Sequence, residues 1–351
     1  MISESTVQIL DGLDLETVNN TARQLNALPA GETFGGVVLK IISGELELSF
    51  SELLKSLAAP LFSELGMFSA LLKEMVVIAI LSAVLSVISL SLRNKAVADL
   101  GFYVVYIIIV ALLLDSFMEC VAVMRSFAGN LARFVEASVP LMASLLLVSG
   151  NPSSAAVLNP LAMFAAGAVQ FIIRDIIGPV LIFAAVLEIV NNLSAREMLS
   201  RLSEIIKKGV KITLAALGGL FAAILTLYRI STPIVDGAAI RAARYAAGAV
   251  PVVGQALSSA VDAAVFWSGA VKNSVLIAVI IVILLICMPA IIKTAAFAIV
   301  YKITAALIEP ICDKRAVNAI NAAGSLASLA LAACALAAAS FIFMVMIMIS
   351  L

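Results

Sequence analysis

The sequence contains no histidine. That absence removes the side chain that most often moves protons near neutral pH, imidazole ligation of metals, and every triad built on a histidine base. Charge is scarce too: Asp, Glu, Lys and Arg make up 13% of 351 residues, roughly half the usual ~25%. The 22 basic and 22 acidic residues cancel, so the chain has no basic footprint for nucleic acid and no net field for acidic substrates. The four cysteines, Cys120, Cys287, Cys312 and Cys334, are far apart and form no CxxC pair; they read as small buried hydrophobes. There is no Walker A motif, no GxGxxG opening a helix, no GxSxG and no HExxH, so no cofactor is expected and any energy for transport must come from a partner or an ion gradient.

Apolar side chains, by contrast, make up 63% of the chain, and the mean hydropathy is +1.17. A soluble domain of this length needs more polar surface than this sequence has. The fold class that follows is all-α: a polytopic integral membrane helical bundle. Uncharged or nearly uncharged runs at 75–92, 100–124, 212–228, 275–292 and 324–351 satisfy the need for about 20 apolar residues per crossing. The region 137–190 is compatible with one crossing plus re-entrant pieces or with three. About eight spanning helices are expected, within a range of six to ten.

Residues 1–73 differ from the rest. They hold nine acidic and four basic residues, with leucines spaced for short amphipathic helices, and are expected as an acidic extracytoplasmic region ahead of a transmembrane domain at 74–351. An internal parallel repeat with broken or re-entrant segments, its halves at 100–211 and 212–351, is suggested by two matches: Arg133 to Pro140 with Arg244 to Pro251, and Pro179 to Val190 with Pro289 to Val300. The density of Lys and Arg at 93–99, 193–211 and 293–323 places those segments in the cytoplasm. Arg196, Arg201, Lys207, Lys208 and Lys211 then form a basic amphipathic docking segment at the membrane surface.

Ionisable residues within apolar runs are costly and draw attention. Asp115 and Glu119 stand four apart on one helix face; they either bind a cation or relay protons, or pair with Arg125 or Arg133, and the pairing is the preferred expectation. Glu188 is expected to snorkel from a cytoplasmic helix end, and Lys293 to reach the interface. Arg174-Asp175 is either a tight external turn or a buried pair. Apolar runs break at Gly150-Asn151-Pro152, Ile177-Gly178-Pro179, Thr232-Pro233 and Pro251 to Gly254, as a pore or substrate path permits and as loops also do. The small residues of 322–339 suit close helix packing, in a bundle or a homo-oligomer.

The stretch Asp236 to Gly254, which includes Arg241, Arg244, Gly248 and Pro251, is followed by Ser258 to Asp262. Together with Tyr301 to Pro310 and with Gly44 to Lys55, it resembles the stage III sporulation protein AE family over roughly residues 40–351. The resemblance implies a role in endospore formation, in the mother-cell membrane around the forespore. It also implies a channel-like, secretion-like complex with other membrane proteins of the same sporulation operon, a partner ATPase and a forespore-made partner across the intermembrane space. It brings no catalytic residues. Family members commonly begin with a signal sequence, which Met1-Ile2-Ser3-Glu4 does not open, so an upstream start or a removed leader is expected. On this reading Asp236, Arg241, Arg244, Gly248, Pro251, Gly254 and Asp262 contact partners or line the path.

The rival reading is a stand-alone ion-coupled secondary transporter built around Asp115 and Glu119. In proteoliposomes the purified chain alone is expected to take up no solute. Ion-driven uptake abolished by Asp115→Asn would establish the transporter instead.

Overall fold

The computed structural model describes residues 14–28, 31–44, 95–193, 199–248, 254–310 and 313–350, with isolated positions between 73 and 87. Side chains are described outside 95–102, 105, 193, 230–248 and 254–268. Every regular element among the described residues is helical. Two short helices come first. In α1 (Leu15–Gln24) the Asp14 carboxylate caps the first turn, accepting from the Thr17 N–H at 3.3 Å and the Thr17 hydroxyl at 2.9 Å. In α2 (Phe34–Ser43) the Thr33 hydroxyl accepts from the Gly36 N–H at 3.0 Å, and Gly44 closes the helix at φ +70°. Asn19 ties the two together, accepting the Phe34 N–H at 2.9 Å. Leu25 and Leu28 follow the first of these helices, and the leucines at 46–57 lie outside the described residues.

The remaining helices are long. They are α3 (Lys95–Val148), α4 (Pro152–Phe171), a π-helical stretch (Ile172–Ile177), α5 (Gly178–Leu193), α6 (Ser200–Gly248), α7 (Gly254–Ile308) and α8 (Lys314–Ile349). Among the described residues, four segments are long and apolar enough to cross a membrane: Tyr106–Val148, Ser200–Arg229, Gly269–Ile308 and Lys314–Ile349. The first anticipated span, 75–92, lies largely outside the described residues. The ambiguous region 137–190 becomes the end of α3, a tight turn with Gly150 at φ +82°, and a rod through α4 and α5 that folds back along α3.

Two expected breaks do not occur: Thr232-Pro233 lies inside α6, and Gly178-Pro179 continues from the π-helical stretch into α5. Pro140 lies inside α3, Pro160 inside α4 and Pro289 inside α7 as well. In an apolar medium an open backbone has no water to bond, so helix is kept through a proline when nearby groups take up the freed carbonyls. Hydroxyls bond the backbone on either side of Pro140: Ser138 donates to the Phe134 carbonyl at 2.7 Å and Ser144 to the Pro140 carbonyl at 2.9 Å. The Gly150 turn does interrupt the helices where a break was expected. Residues 249–253, Val250-Pro251 among them, lie outside the described residues. Val139-Pro140 lies inside α3, and α6 runs unbroken through the proposed repeat boundary at 211–212.

The centre of the bundle is α8, which packs most extensively on α7 and also meets α3, α5 and α6. Its buried face is rich in alanine, including Ala319, Ala323, Ala327, Ala330, Ala333 and Ala337, so neighbouring backbones come close. Gly324 marks the tightest approach to α7: a Cβ there would stand 3.2 Å from Tyr301 Cβ and 3.1 Å from Lys302 Cγ. The outer surface carries Ile107, Phe164, Phe183, Leu220, Ile303 and Phe343, all exposed, an apolar coat that suits lipid or protein cover. Gly324→Val is expected to destabilise the bundle by about 1–3 kcal/mol through this overpacking. Gly167→Val, where a Cβ meets nothing within 4 Å, is expected to change little; equilibrium unfolding in detergent compares the two.

Candidate functional site

The most elaborate polar site joins the end of α5 to the start of α6. The Glu188 carboxylate, 15% exposed, pairs with Lys207 and accepts a hydrogen bond from the Ser203 hydroxyl. Ser203 and Lys207 are four apart, so one face of α6 presents both. One turn further along α5, the Asn191 side-chain oxygen accepts the Leu199 N–H at 2.8 Å and fixes how α6 begins. Glu188 therefore does not snorkel; α6 packs against α5 and its Lys207 supplies the counter-charge. Lys207 accordingly leaves the docking set. Arg201, Lys208 and Lys211 remain exposed on α6, and Arg196 lies outside the described residues. The basic segment is the first part of α6, continuous with its apolar run, rather than a separate surface helix.

Asp115 and Glu119 are both exposed on α3, while Ser116, Phe117 and Cys120 turn into the core. The expected pairing with Arg125 or Arg133 is not made. Ion pairs among the described residues join Glu32 to Lys40, Asp175 to Arg174 and Glu188 to Lys207. Arg125 instead lays its alkyl chain over Gly178, where a Cβ would come within 3.0 Å of its Cδ. Arg174 and Asp175 are half-exposed at 3.9 Å within the π-helical stretch, neither a turn nor a buried pair. Lys293 is half-buried on α7. Cys120, Cys287 and Cys334 are buried, as expected of small hydrophobes; Cys312 lies outside the described residues.

Three interhelical hydrogen bonds and one buried cation escaped the sequence reading. Ser116 and Tyr301 bond at 2.7 Å between α3 and α7. The Tyr106 hydroxyl donates to the Ile189 carbonyl at 3.1 Å, pinning α3 to α5, and Tyr228 donates to the Ser154 carbonyl at 2.9 Å, pinning α6 to α4. Lys272 is 4% exposed on α7. The available signal was the scarcity of tyrosine, five in the chain: a phenol inside an apolar bundle needs an acceptor. Asp236, Arg241, Arg244 and Gly248 all fall on the last turns of α6, Gly254 opens α7 and Asp262 lies within it; their side chains are outside the described set.

These features define a class, a polytopic helical membrane protein closed by small-residue packing and a few polar pins. A family model described as stage III sporulation protein AE matches residues 33–351, and the chain belongs to that family, a sporulation family. The stage III sporulation protein AE of Bacillus subtilis (strain 168) is 27% identical over 282 residues, covering 80% of this chain and 70% of that protein. No solved structure matches.

Lys207→Ala leaves Glu188 enclosed without its counter-charge and is expected to cost about 1–3 kcal/mol. Lys208→Ala, on the exposed face, is expected to stay within about 0.5 kcal/mol. Adding Glu188→Leu to Lys207→Ala should recover part of the loss, read as unfolding midpoints in detergent.

Proposed function

We propose that this chain is a non-enzymatic scaffold of the channel-like complex that supports forespore development, set in the mother-cell membrane. The observation that supports this best is an apolar surface that a bilayer does not cover. On α6 the uncharged segment is Ile212–Tyr228, 17 residues between Lys211 and Arg229, about 26 Å at ~1.5 Å per residue. That fits a hydrocarbon core of about 30 Å. Tyr106 meets Ile189, beside Glu188, which is held by Ser203 and Lys207. The exposed Val104, Ile107 and Ile108 of α3 and Val186 and Val190 of α5 therefore stand level with the charged first turns of α6, outside its uncharged segment. An apolar patch next to exposed Arg201, Lys208 and Lys211 suits a protein partner. The positive charge supports a cytoplasmic setting for it, where the operon's membrane proteins and a partner ATPase would dock.

The opposite end serves the other partners. Beyond Arg229, α6 continues as helix to Gly248 and α7 starts at Gly254. This helical pair holds the family's signature residues away from the basic end, toward the intermembrane space and a forespore-made protein. The transporter reading is weaker, because Asp115 and Glu119 face outward rather than into an enclosed site.

Affinity purification from sporulating cells tests both ends. Ile107→Arg is expected to deplete partners on the basic side, and Arg241→Glu with Arg244→Glu those on the opposite side, with membrane insertion of the chain unchanged. A full set of partners recovered with both variants would refute the scaffold reading.

A further inference from the structure

A cavity of about 700 Å³ lies between α6 and α8, at the opposite end of the bundle from the Glu188 site. The two helices run in parallel there, with Phe221 edge-on to Phe341 at 5.7 Å and 78°. Its closed end is set by Gly218: a Cβ would come 2.8 Å from Leu336 Cδ1, so Leu336 fills the space a side chain would take. Further along, Ala222 and Ala339 are too small to fill the gap between the helices, and exposed Phe343 walls it. The other end reaches Arg229, the one charged residue lining the cavity, and no described carboxylate pairs with it.

We propose that this trough holds one anionic phospholipid, its phosphate at Arg229 and an acyl chain running toward Gly218. The dimensions support a chain. Gly218 and Arg229 are eleven residues apart on α6, roughly 16 Å, which is about one leaflet of a hydrocarbon core some 30 Å thick. Ala222 and Ala339 along the slot and Leu336 at its closed end leave an apolar lining over that length, which suits an acyl chain. The volume falls within the roughly 300–1,000 Å³ of small-molecule sites. The charge supports an anionic headgroup. Arg229 ends the uncharged segment of α6, so its guanidinium stands at headgroup level, where a phosphate offers it paired hydrogen bonds. A neutral or zwitterionic lipid would fill the same slot without a net charge to match the cation.

The test uses the purified full-length chain and does not depend on the scaffold reading. Native mass spectrometry would follow titration with phosphatidylglycerol or with phosphatidylcholine of the same chains. One phosphatidylglycerol is expected to be retained, preferred about fivefold. Arg229→Gln should remove the preference and Arg229→Lys keep most of it. Ala339→Phe, which fills the slot, should lower retention of both lipids, and Lys208→Gln at the far end should change nothing. A preference that survives Arg229→Gln overturns the proposal. So does undiminished retention in a folded Ala339→Phe variant, or a dimer lost on Ala339→Phe with no lipid bound, which would make a second copy the occupant.

Discussion

Helices in lipid gain little by hiding apolar surface from one another, because the tails are as apolar as the side chains. What holds them together is contact at short range. In this protein that requirement falls on α8, whose alanine face lets four other helices approach. Dispersion between atoms falls off steeply with distance, so each small residue there is worth more as a point of approach than a larger one would be as a filler. Gly324 is the limiting case, where even one methyl would crowd α7. The hydroxyl pin between Ser116 and Tyr301 lies beside this contact, and it is the closeness of the backbones that brings the two hydroxyls into reach.

Polar side chains in such a bundle are few, and each does a task that packing cannot. Packing fixes distance but tolerates sliding, whereas a hydrogen bond fixes register. Tyr106 sets α3 against α5, Tyr228 sets α6 against α4, and Glu188 with Lys207 sets the entry of α6. The ion pair is the most demanding of these, since neither charge is well hydrated without the other. It lies where the chain has just turned, so the start of α6 is held at the point where a short connection alone would leave its direction loose.

The sequence carried the fold class and much of the local punctuation. Lys211 and Arg229 bracket the uncharged run of α6 in plain view, Gly150 before Asn151 and Pro152 announced a turn, and Cys120, Cys287 and Cys334 lie in the core as read. Two of the prolines misled. Pro179 and Pro233 mark breaks in the apolar runs of the sequence, yet both sit inside helices, because the penalty for an unbonded backbone in apolar surroundings exceeds that of one missing N–H. Local rules calibrated on water-exposed chains fail there. The partner of Glu188 was hidden for a different reason. Lys207 was visible as one of five clustered cations, but which of them turns inward depends on the phase of α6, and that is set by Asn191 and Ser203 across the connection. Asp115 and Glu119 were recognised as sharing a face, and only packing could show that this face is the outer one.

Helix length constrains how the molecule sits in a membrane. The large exposed apolar side chains of α3 lie in two groups, Val104 to Met118 and Leu147 with Val148, whose outer ends are roughly 65 Å apart along the axis at ~1.5 Å per residue. A hydrocarbon core of about 30 Å, even with a helix tilt of some 40°, shields only about 40 Å of that length. The uncovered part needs another apolar surface or it becomes a liability in water. Since α6 crosses between Lys211 and Arg229, and Tyr106 is tied to the level of Lys207 through Ile189 and Glu188, the exposed Val104, Ile107 and Ile108 fall on the basic side, outside the uncharged run. Asp115 and Glu119 stand nine and thirteen residues further along α3 than Tyr106, roughly 14–20 Å, which brings them level with that run. An exposed carboxylate at that depth is costly against lipid tails, so this face of α3, like the patch beside it, suits cover by another protein.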